Sequence, residues 1–295
     1  MCGPFPEAAF AASRAEGKEN EKRSTITCPV CFRHCVLTEG GIGNCLARAN
    51  QDGRSVTLNY GMLTSLALDP IEKKPLVRFC PGSYILSAGS YGCNLHCTYC
   101  QNWEISQERA KAQYVSPEEL TKIAEEQKTR GNIGVAFTYN EPMIGYEYIR
   151  DTARLVQAAG MKTVVVTNGS VTAEILREVL PYIDAMNIDL KGFSEEFYRR
   201  VQGNLGTVLD FIRIAAEACH VELTCLIIPG ENDDPEEMRA LSSFVASIRP
   251  DIPLHITRFF PRYQMRDRSP TDVGTIYSLA EIAREKLKYV YEGNV

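Results

Sequence analysis

Residues Ser90–Ser106 read SYGCNLHCTYCQNWEIS and follow directly on an apolar, β-prone run, YILSAGS (84–90). The stretch holds Cys93, Cys97 and Cys100, spaced C-x3-C-x2-C. A structural zinc site normally uses four protein ligands, and an ordinary [4Fe–4S] cluster uses four cysteines. Three thiolates on one tight loop can instead hold three irons of a cubane. The fourth iron is then left to an outside ligand, to which it acts as Lewis acid and electron donor. The competing readings are a zinc site with a remote fourth ligand, and buried free thiols. His96 lies between two of the cysteines, a poor position from which to complete the set.

Outward from this loop the chain repeats one pattern. The apolar runs YILSAGS (84–90), IGVAFT (133–138), KTVVVT (162–167), DAMNIDL (184–190), VELTCLII (221–228) and PLHITRF (253–259) alternate with amphipathic stretches. The first of those stretches opens with Ser116, Pro117 and Glu119, a capping box with proline at the first helical position. Six strand-then-helix units predict a parallel sheet covered by helices, its strands buried on both faces. Six units fall short of an eight-fold barrel, so the expected fold is α/β, a partial (β/α)6 TIM-like barrel. A doubly wound sheet obeys a similar ligand-placement rule and remains the alternative. In α/β barrels chemistry sits at the C-terminal strand ends. There this sequence places GCNLHCTYC, TYNEP, TNGS, NIDLK, IPGENDD and RFFPRY.

Bulk properties narrow the classes. A chain of 295 residues, 44% hydrophobic and 23% charged, is ordinary for a globular protein. A net charge of -5 gives no reason to expect nucleic acid as a partner. No apolar run reaches the roughly 18 residues of a membrane span. The first 25 residues carry Glu7, Glu16, Glu19 and Glu21 and lack an apolar leader, so they are expected to be a mobile polar tail of a cytoplasmic protein. Residues 26–79 are expected to form a small cysteine-rich region and residues 80–295 the core. Eleven cysteines in such a chain suggest metal ligands rather than disulfides. Cys2, Cys80, Cys219 and Cys225 stand alone and read as ordinary thiols.

The C-x3-C-x2-C motif with aromatic Tyr99 before its last cysteine resembles the signature of the radical S-adenosylmethionine (radical SAM) superfamily. With TYNEP, TNG, NIDLKGF, LIIPGENDD, DPIEKKPL and the closing YVYEGNV, the chain is similar to the AmmeMemoRadiSam branch, itself similar to pyruvate formate-lyase activating enzymes. The resemblance spans about residues 26–295. It implies a [4Fe–4S] cluster on Cys93, Cys97 and Cys100 whose open iron takes the methionine end of S-adenosylmethionine. One-electron cleavage then gives methionine and a 5′-deoxyadenosyl radical that abstracts hydrogen from a protein or small-molecule substrate. An external electron donor such as flavodoxin or ferredoxin is implied as partner. Activation of a glycyl-radical enzyme is one version of this function. A non-catalytic zinc-binding or electron-transfer protein is the alternative from another class.

The resemblance also implies cofactor contacts. Tyr99 is expected beside the adenine, or else in ordinary core packing. Asn140 and Glu141 stand where many relatives carry Gly-Gly-Glu-Pro, the segment holding the methionine amino group; Tyr139 and Asn140 depart from the two glycines. The competing reading makes Asn140 a helix cap and Glu141 a partner of the helix dipole. Thr167 and Asn168 are expected near ribose and carboxylate, against a plain turn. Asn187, Asp189 and Lys191 share one strand face, with Asp189 and Lys191 expected at the methionine carboxylate or paired with each other. Ile228 is expected on the adenine or in the core. Arg258 is a candidate sixth-strand contact, with His255 read as facing elsewhere. RFFPRYQMRDR is read as bordering the substrate entrance or as a solvated loop.

The first cysteine set, Cys28, Cys31, Cys35 and Cys45, supplies four thiols in 18 residues. Four suffice for zinc or for an auxiliary Fe–S cluster, and unmetallated thiols are the third reading. Many members of the branch run on past the segment matching GNV into a cysteine-containing tail. This sequence stops at Val295, so its first cysteine set is expected to differ where such a tail contributes ligands.

Overall fold

The computed structural model describes residues 24–295. All but Ser24 and Thr25 of the expected N-terminal tail lies outside the described residues.

One eight-stranded sheet organises the chain. Its strands are β1 (Ser65–Pro70), β2 (Tyr84–Gly89), β3 (Asn132–Thr138), β4 (Lys162–Thr167), β5 (Ala185–Asp189), β6 (His220–Ile227), β7 (Leu254–Arg258) and β8 (Val290–Gly293). They lie side by side strictly in chain order. β2 to β8 are parallel throughout, and β1 pairs antiparallel with β2. A doubly wound sheet reverses its order at a switch point; this one never does, which is the barrel pattern. β1 and β8 are not paired with each other, so the barrel is open. The six expected strands are all present, and β1 and β8 extend them at either edge.

Six longer helices cover the outside: α1 (Pro117–Glu126), α2 (Tyr146–Ala158), α3 (Ala173–Val179), α4 (Leu205–Ala218), α5 (Pro235–Ile248) and α6 (Val273–Arg284). α1 begins as its sequence demands: Glu119 N–H donates to Ser116 Oγ at 3.2 Å, and Ser116 N–H donates to Glu119 Oε2 at 2.8 Å. α2 starts later than the apolar pattern suggests, because Pro142–Gly145 first forms a 3₁₀ turn. The outer strand faces and inner helix faces form one continuous apolar core, with Val135, Val165, Ile188, Leu223 and Ile256 fully buried.

Inside the barrel the residue types change along the strands. Toward the N-terminal strand ends, Ile85, Ala136, Val164 and Ala185 pack with Ile71 and Leu76 from the segment between β1 and β2. That segment plugs the barrel, and Glu222 of β6 fastens it: Oε1 accepts from Arg78 N at 2.7 Å and Oε2 from Val77 N at 3.1 Å. Toward the C-terminal ends the interior turns polar.

The cysteine-rich segment forms two antiparallel hairpins, Ile26–Thr27 with Val36–Leu37 and Arg48–Gln51 with Arg54–Thr57. It packs on the C-terminal side of the barrel, where Cys31 bridges to Val171 and Thr172 N–H donates to Val30 O at 3.0 Å. Buried Arg48 anchors it through Glu147 of α2 at 2.7 Å. Among the described residues no helix is long and apolar enough to cross a membrane.

Candidate active site

A cavity of about 750 Å³ opens at the C-terminal strand ends and runs into the barrel. Cys93, Cys97, Cys100, Tyr99, Asn140, Glu141, Thr167, Asn168, Asp189 and Lys191 all line it. They come from four separate stretches of sequence, and the alternation of β5 brings Asp189 inward together with Asn187.

The cysteine loop leaves β2 and is held from several sides. Asn140 accepts from Ser90 N–H at 3.1 Å and donates to Gly92 O at 3.0 Å. Asn140 therefore ties the loop to the end of β3 and does not cap the following helix. Glu141 does cap the 3₁₀ turn, accepting from Met143 N at 3.0 Å. Its carboxylate also accepts from Thr167 Oγ1 at 2.8 Å and Asn168 N at 2.7 Å, so it joins the ends of β3 and β4. Burial outweighs these donors and pushes its carboxyl up to about 7. Gly92 needs its lack of side chain: at φ 88 a Cβ there would stand 2.4 Å from Cys45 O.

The sulfurs sit among donors. Cys93 Sγ accepts from Leu95 N–H at 3.4 Å and is approached by Asn168 Nδ2 at 3.6 Å. Burial raises the Cys97 thiol while nearby Lys191 pulls it down. Lys191 Nζ pairs with Asp189 Oδ2 at 2.8 Å. Burial pulls the Lys191 ammonium down, but the Asp189 carboxylate beside it more than offsets this, so the group is held above its ordinary value. Tyr99 is buried beside Cys97.

Two sequence readings are corrected. Ile228 does not reach the cavity. β6 ends at Ile227, so the inward face stops at Leu226, and Ile228 turns into the core with its N–H on Asn232 Oδ1 at 2.7 Å. Arg258 is also away from the cavity, its Nε donating to Thr271 O at 2.6 Å. His255 lines the cavity in its place, together with Thr257. The RFFPRY loop buttresses the cysteine loop: Tyr263 stacks on Trp103 with centroids 5.0 Å apart, and Gln264 N–H donates to Thr98 O at 2.9 Å.

Sequence reasoning missed the cavity's other walls. Lys73 and Lys74 enter from the plug segment, and both salt-bridge Asp69, at 3.2 and 2.9 Å. Tyr139 donates to the same carboxylate at 2.7 Å. Deeper in, His255 Nε2 lies 2.7 Å from Glu222 Oε2 and its ring stacks on Tyr291. The polar-apolar alternation of LHITR is the signal that would have turned His255 inward.

The first cysteine set is gathered in one place. Cys28 N–H donates to Cys35 O at 2.9 Å, and the electrostatic environment of Cys31 includes both, as that of Cys45 includes Cys28 and Cys31. Among the described residues no three His, Cys, Asp or Glu side chains are arranged to hold a single metal ion. This holds for Cys93, Cys97 and Cys100 as well as for the first set. A trio of thiols facing a cavity with an ammonium and amide donors suits a multinuclear cluster bound from one side.

The profile of the radical SAM superfamily matches residues 88–241. An uncharacterized protein of Methanocaldococcus jannaschii is 40% identical over 278 residues, covering 92% of this chain and 81% of that one. The pyruvate formate-lyase-activating enzyme of Clostridium pasteurianum is 27% identical over 166 residues, 54% of this chain and 68% of its own length. Among solved structures, SuiB of Streptococcus suis bound to S-adenosylmethionine matches with a TM-score of 0.56 at 14% identity, over 70% of this chain and 48% of that one. QueE from Escherichia coli matches with a TM-score of 0.51 at 13% identity, over 80% and 94%. These structures show a shared fold.

Proposed function

The chain belongs to the radical SAM superfamily, and on that premise we propose that its cavity binds a [4Fe–4S] cluster and S-adenosylmethionine to act on a substrate held deeper in the barrel. When bound, this pair supplies a 5′-deoxyadenosyl radical that removes a hydrogen atom from the substrate. The observation that carries the reading is the convergence of Cys93, Cys97 and Cys100 with Asn168, Asp189 and Lys191 on one cavity.

The protein's part is placement. The three thiols hold the cluster. Lys191, kept charged by Asp189, faces the methionine carboxylate as a buried counter-ion. Asn168 presents its amide at the Cys93 sulfur and fixes the carboxylate side of the site. Tyr99 flanks the adenine. Glu141 acts by positioning: its oxygens are engaged by three protein donors, and through them it sets Asn168. Asn140 does the same for the start of the cysteine loop. His255, Thr224, Thr257 and Tyr291 remain for the substrate, and their polarity suits one that forms hydrogen bonds.

The electron comes from an external low-potential donor of the flavodoxin or ferredoxin kind. Similarity to a pyruvate formate-lyase-activating enzyme over about half of the chain keeps hydrogen abstraction from a protein glycine as a second reading. A polypeptide substrate would then reach the same cavity from its open end.

The test is anaerobic reconstitution with iron and sulfide, followed by dithionite and S-adenosylmethionine. The expected products are methionine and 5′-deoxyadenosine, absent with Cys100→Ala. Production no greater than in that variant overturns the reading. A glycyl radical signal on a co-incubated partner would select the second reading.

A further inference from the structure

We infer that the exposed arginine-rich face built from residues 258–268 and the end of the short helix Glu195–Arg200 docks an acidic one-electron carrier protein, which delivers its electron to the outer side of the cysteine loop. The electron-transfer role rests on the proposed function; the docking surface does not.

The cysteine loop has two sides. Cys93, Cys97 and Cys100 line the cavity, which cofactor and substrate fill. Residues 195–203 and 258–268 do not line that cavity, yet both hold the loop from outside. Gln264 N–H donates to Thr98 O at 2.9 Å, between Cys97 and Cys100, and His96 N–H donates to Val201 O at 3.0 Å. Glu231 joins the two segments, pairing with Arg268 at 2.7 Å and also with Arg200. The cysteine-rich hairpins cover only the start of the loop, where Cys45 O packs against Gly92. The half that carries Cys97 and Cys100 is therefore backed by the arginine segments. A protein that must approach the cluster while the cavity is occupied meets them first.

The make-up of this face suits an acidic partner. The whole chain carries a net charge of -5, which repels an acidic protein. Residues 195–203 and 258–268 together reverse that sign, with six arginines against three acids, Glu195, Glu196 and Asp267. Arg258 is used internally, on Thr271 O. Arg199, Arg262 and Arg266 are exposed, and none of them is paired with a carboxylate among the described residues. Phe260 of the same loop is 38% exposed, and the stacked Trp103 and Tyr263 are half-buried. Aromatic and arginine side chains are the usual anchors of a protein interface. Local positive charge on a negative molecule steers an acidic partner to this one face. In the transfer one electron leaves the carrier and reduces the cluster by one; no bond forms or breaks and no proton moves.

The probe is an acidic flavodoxin, and the protein is the full chain after anaerobic reconstitution with iron and sulfide. Arg262→Glu/Arg266→Glu reverses two exposed charges. Oxidised flavodoxin should bind this variant at least about tenfold more weakly than the parent in calorimetric titration at low salt, and the parent's affinity should fall as salt rises. Lys122→Glu/Arg177→Glu makes the same change in net charge at exposed positions of α1 and α3. It should weaken binding by less than about twofold. Reduction by flavodoxin hydroquinone should slow in the arginine variant below saturation and recover at saturation, with reduction by dithionite unchanged. No binding to the parent, an affinity of the arginine variant within about twofold of the parent's, or an equal loss in the control pair overturns the docking surface. If binding depends on the arginines but the parent forms no 5′-deoxyadenosine with dithionite, the proposed function fails and the docking surface stands. If the parent forms it while binding ignores the arginines, the docking surface fails and the function stands.

Discussion

Glu222 offers a quantitative test of how the cavity floor is held. It is fully buried and accepts from four donors, Arg78 N and His220 Nε2 on Oε1, Val77 N and His255 Nε2 on Oε2. Glu222→Gln keeps the shape but turns one oxygen into a donor. The histidine on that side can present its other tautomer, while the backbone N–H cannot adapt and stays unpaired. One buried unpaired donor plus the lost charge assistance costs about 3 kcal/mol. The pH linkage gives the same scale. Burial opposes the charge, but His220, His255 and Arg78 N–H hold the carboxyl down at about 2 against 4.5 for the free group. A shift of that size corresponds to about 3 kcal/mol. Because the folded value is depressed, this stability is present above pH 4.5 and is lost as pH falls through about 2. Thermal unfolding of the metal-free chain at neutral pH should show a Tm lower by about 5 °C in the variant. Between pH 4.5 and 2 the parent should lose stability that the variant has already forfeited. A Tm within about 1 °C of the parent, or parallel pH profiles, would refute the role given to Glu222 as the fastener of the plug.

Other residues yield shorter tests. Glu141 has the opposite linkage: burial raises its carboxyl from 4.5 to about 7, so its contribution is complete below pH 4.5 and lost as pH rises through 7. The metal-free parent should lose about 3 kcal/mol across that range in denaturant titrations, and Glu141→Gln should not. Asn140→Ala removes the bonds to Ser90 and Gly92; it should cost about 1–3 kcal/mol and lower iron retention after reconstitution, measured by metal analysis. Lys191→Met should weaken S-adenosylmethionine binding by about tenfold or more, read from cluster EPR against ligand concentration, with Lys191→Arg recovering part of the loss. Trp103→Ala breaks the stack on Tyr263 and should cost about 0.5–1.5 kcal/mol in thermal unfolding.

The barrel was legible because its central strands are buried on both faces and read as apolar runs in fixed alternation with helices. Its edges were not. β1 is exposed over Ser65, Leu66 and Ala67 and ends in Pro70, so neither alternation nor apolar density marks it. β8 has four residues and only Val290 is buried. The cavity's cysteine side was readable from spacing, a local property. Lys73, Lys74, His255 and Tyr291 come together through the curvature of the open sheet around the plug segment, which spacing does not encode. Of the two readings given for Ile228, adenine contact or core, the structure shows the core: β6 ends at Ile227 and Ile228 is fully buried.

The departure at Tyr139-Asn140 is the point where the sequence and the cavity inform each other. Tyr139 holds φ 75, a left-handed conformation that glycine enters freely and tyrosine does not. Such a residue costs about 1 kcal/mol or more, and persists only where surrounding contacts offset it. Here the offset is visible. The Tyr139 hydroxyl donates to Asp69 at 2.7 Å, and its ring lies 4.7 Å from Lys74 Nζ, itself paired with Asp69. The strained tyrosine therefore couples the turn after β3 to the DPIEKK segment, while Asn140 couples the same turn to the cysteine loop. A Gly-Gly turn would remove the strain and both couplings. The cysteine loop and the segment that floors the cavity thus share one support, and the residues that depart from the glycines are the ones that join them.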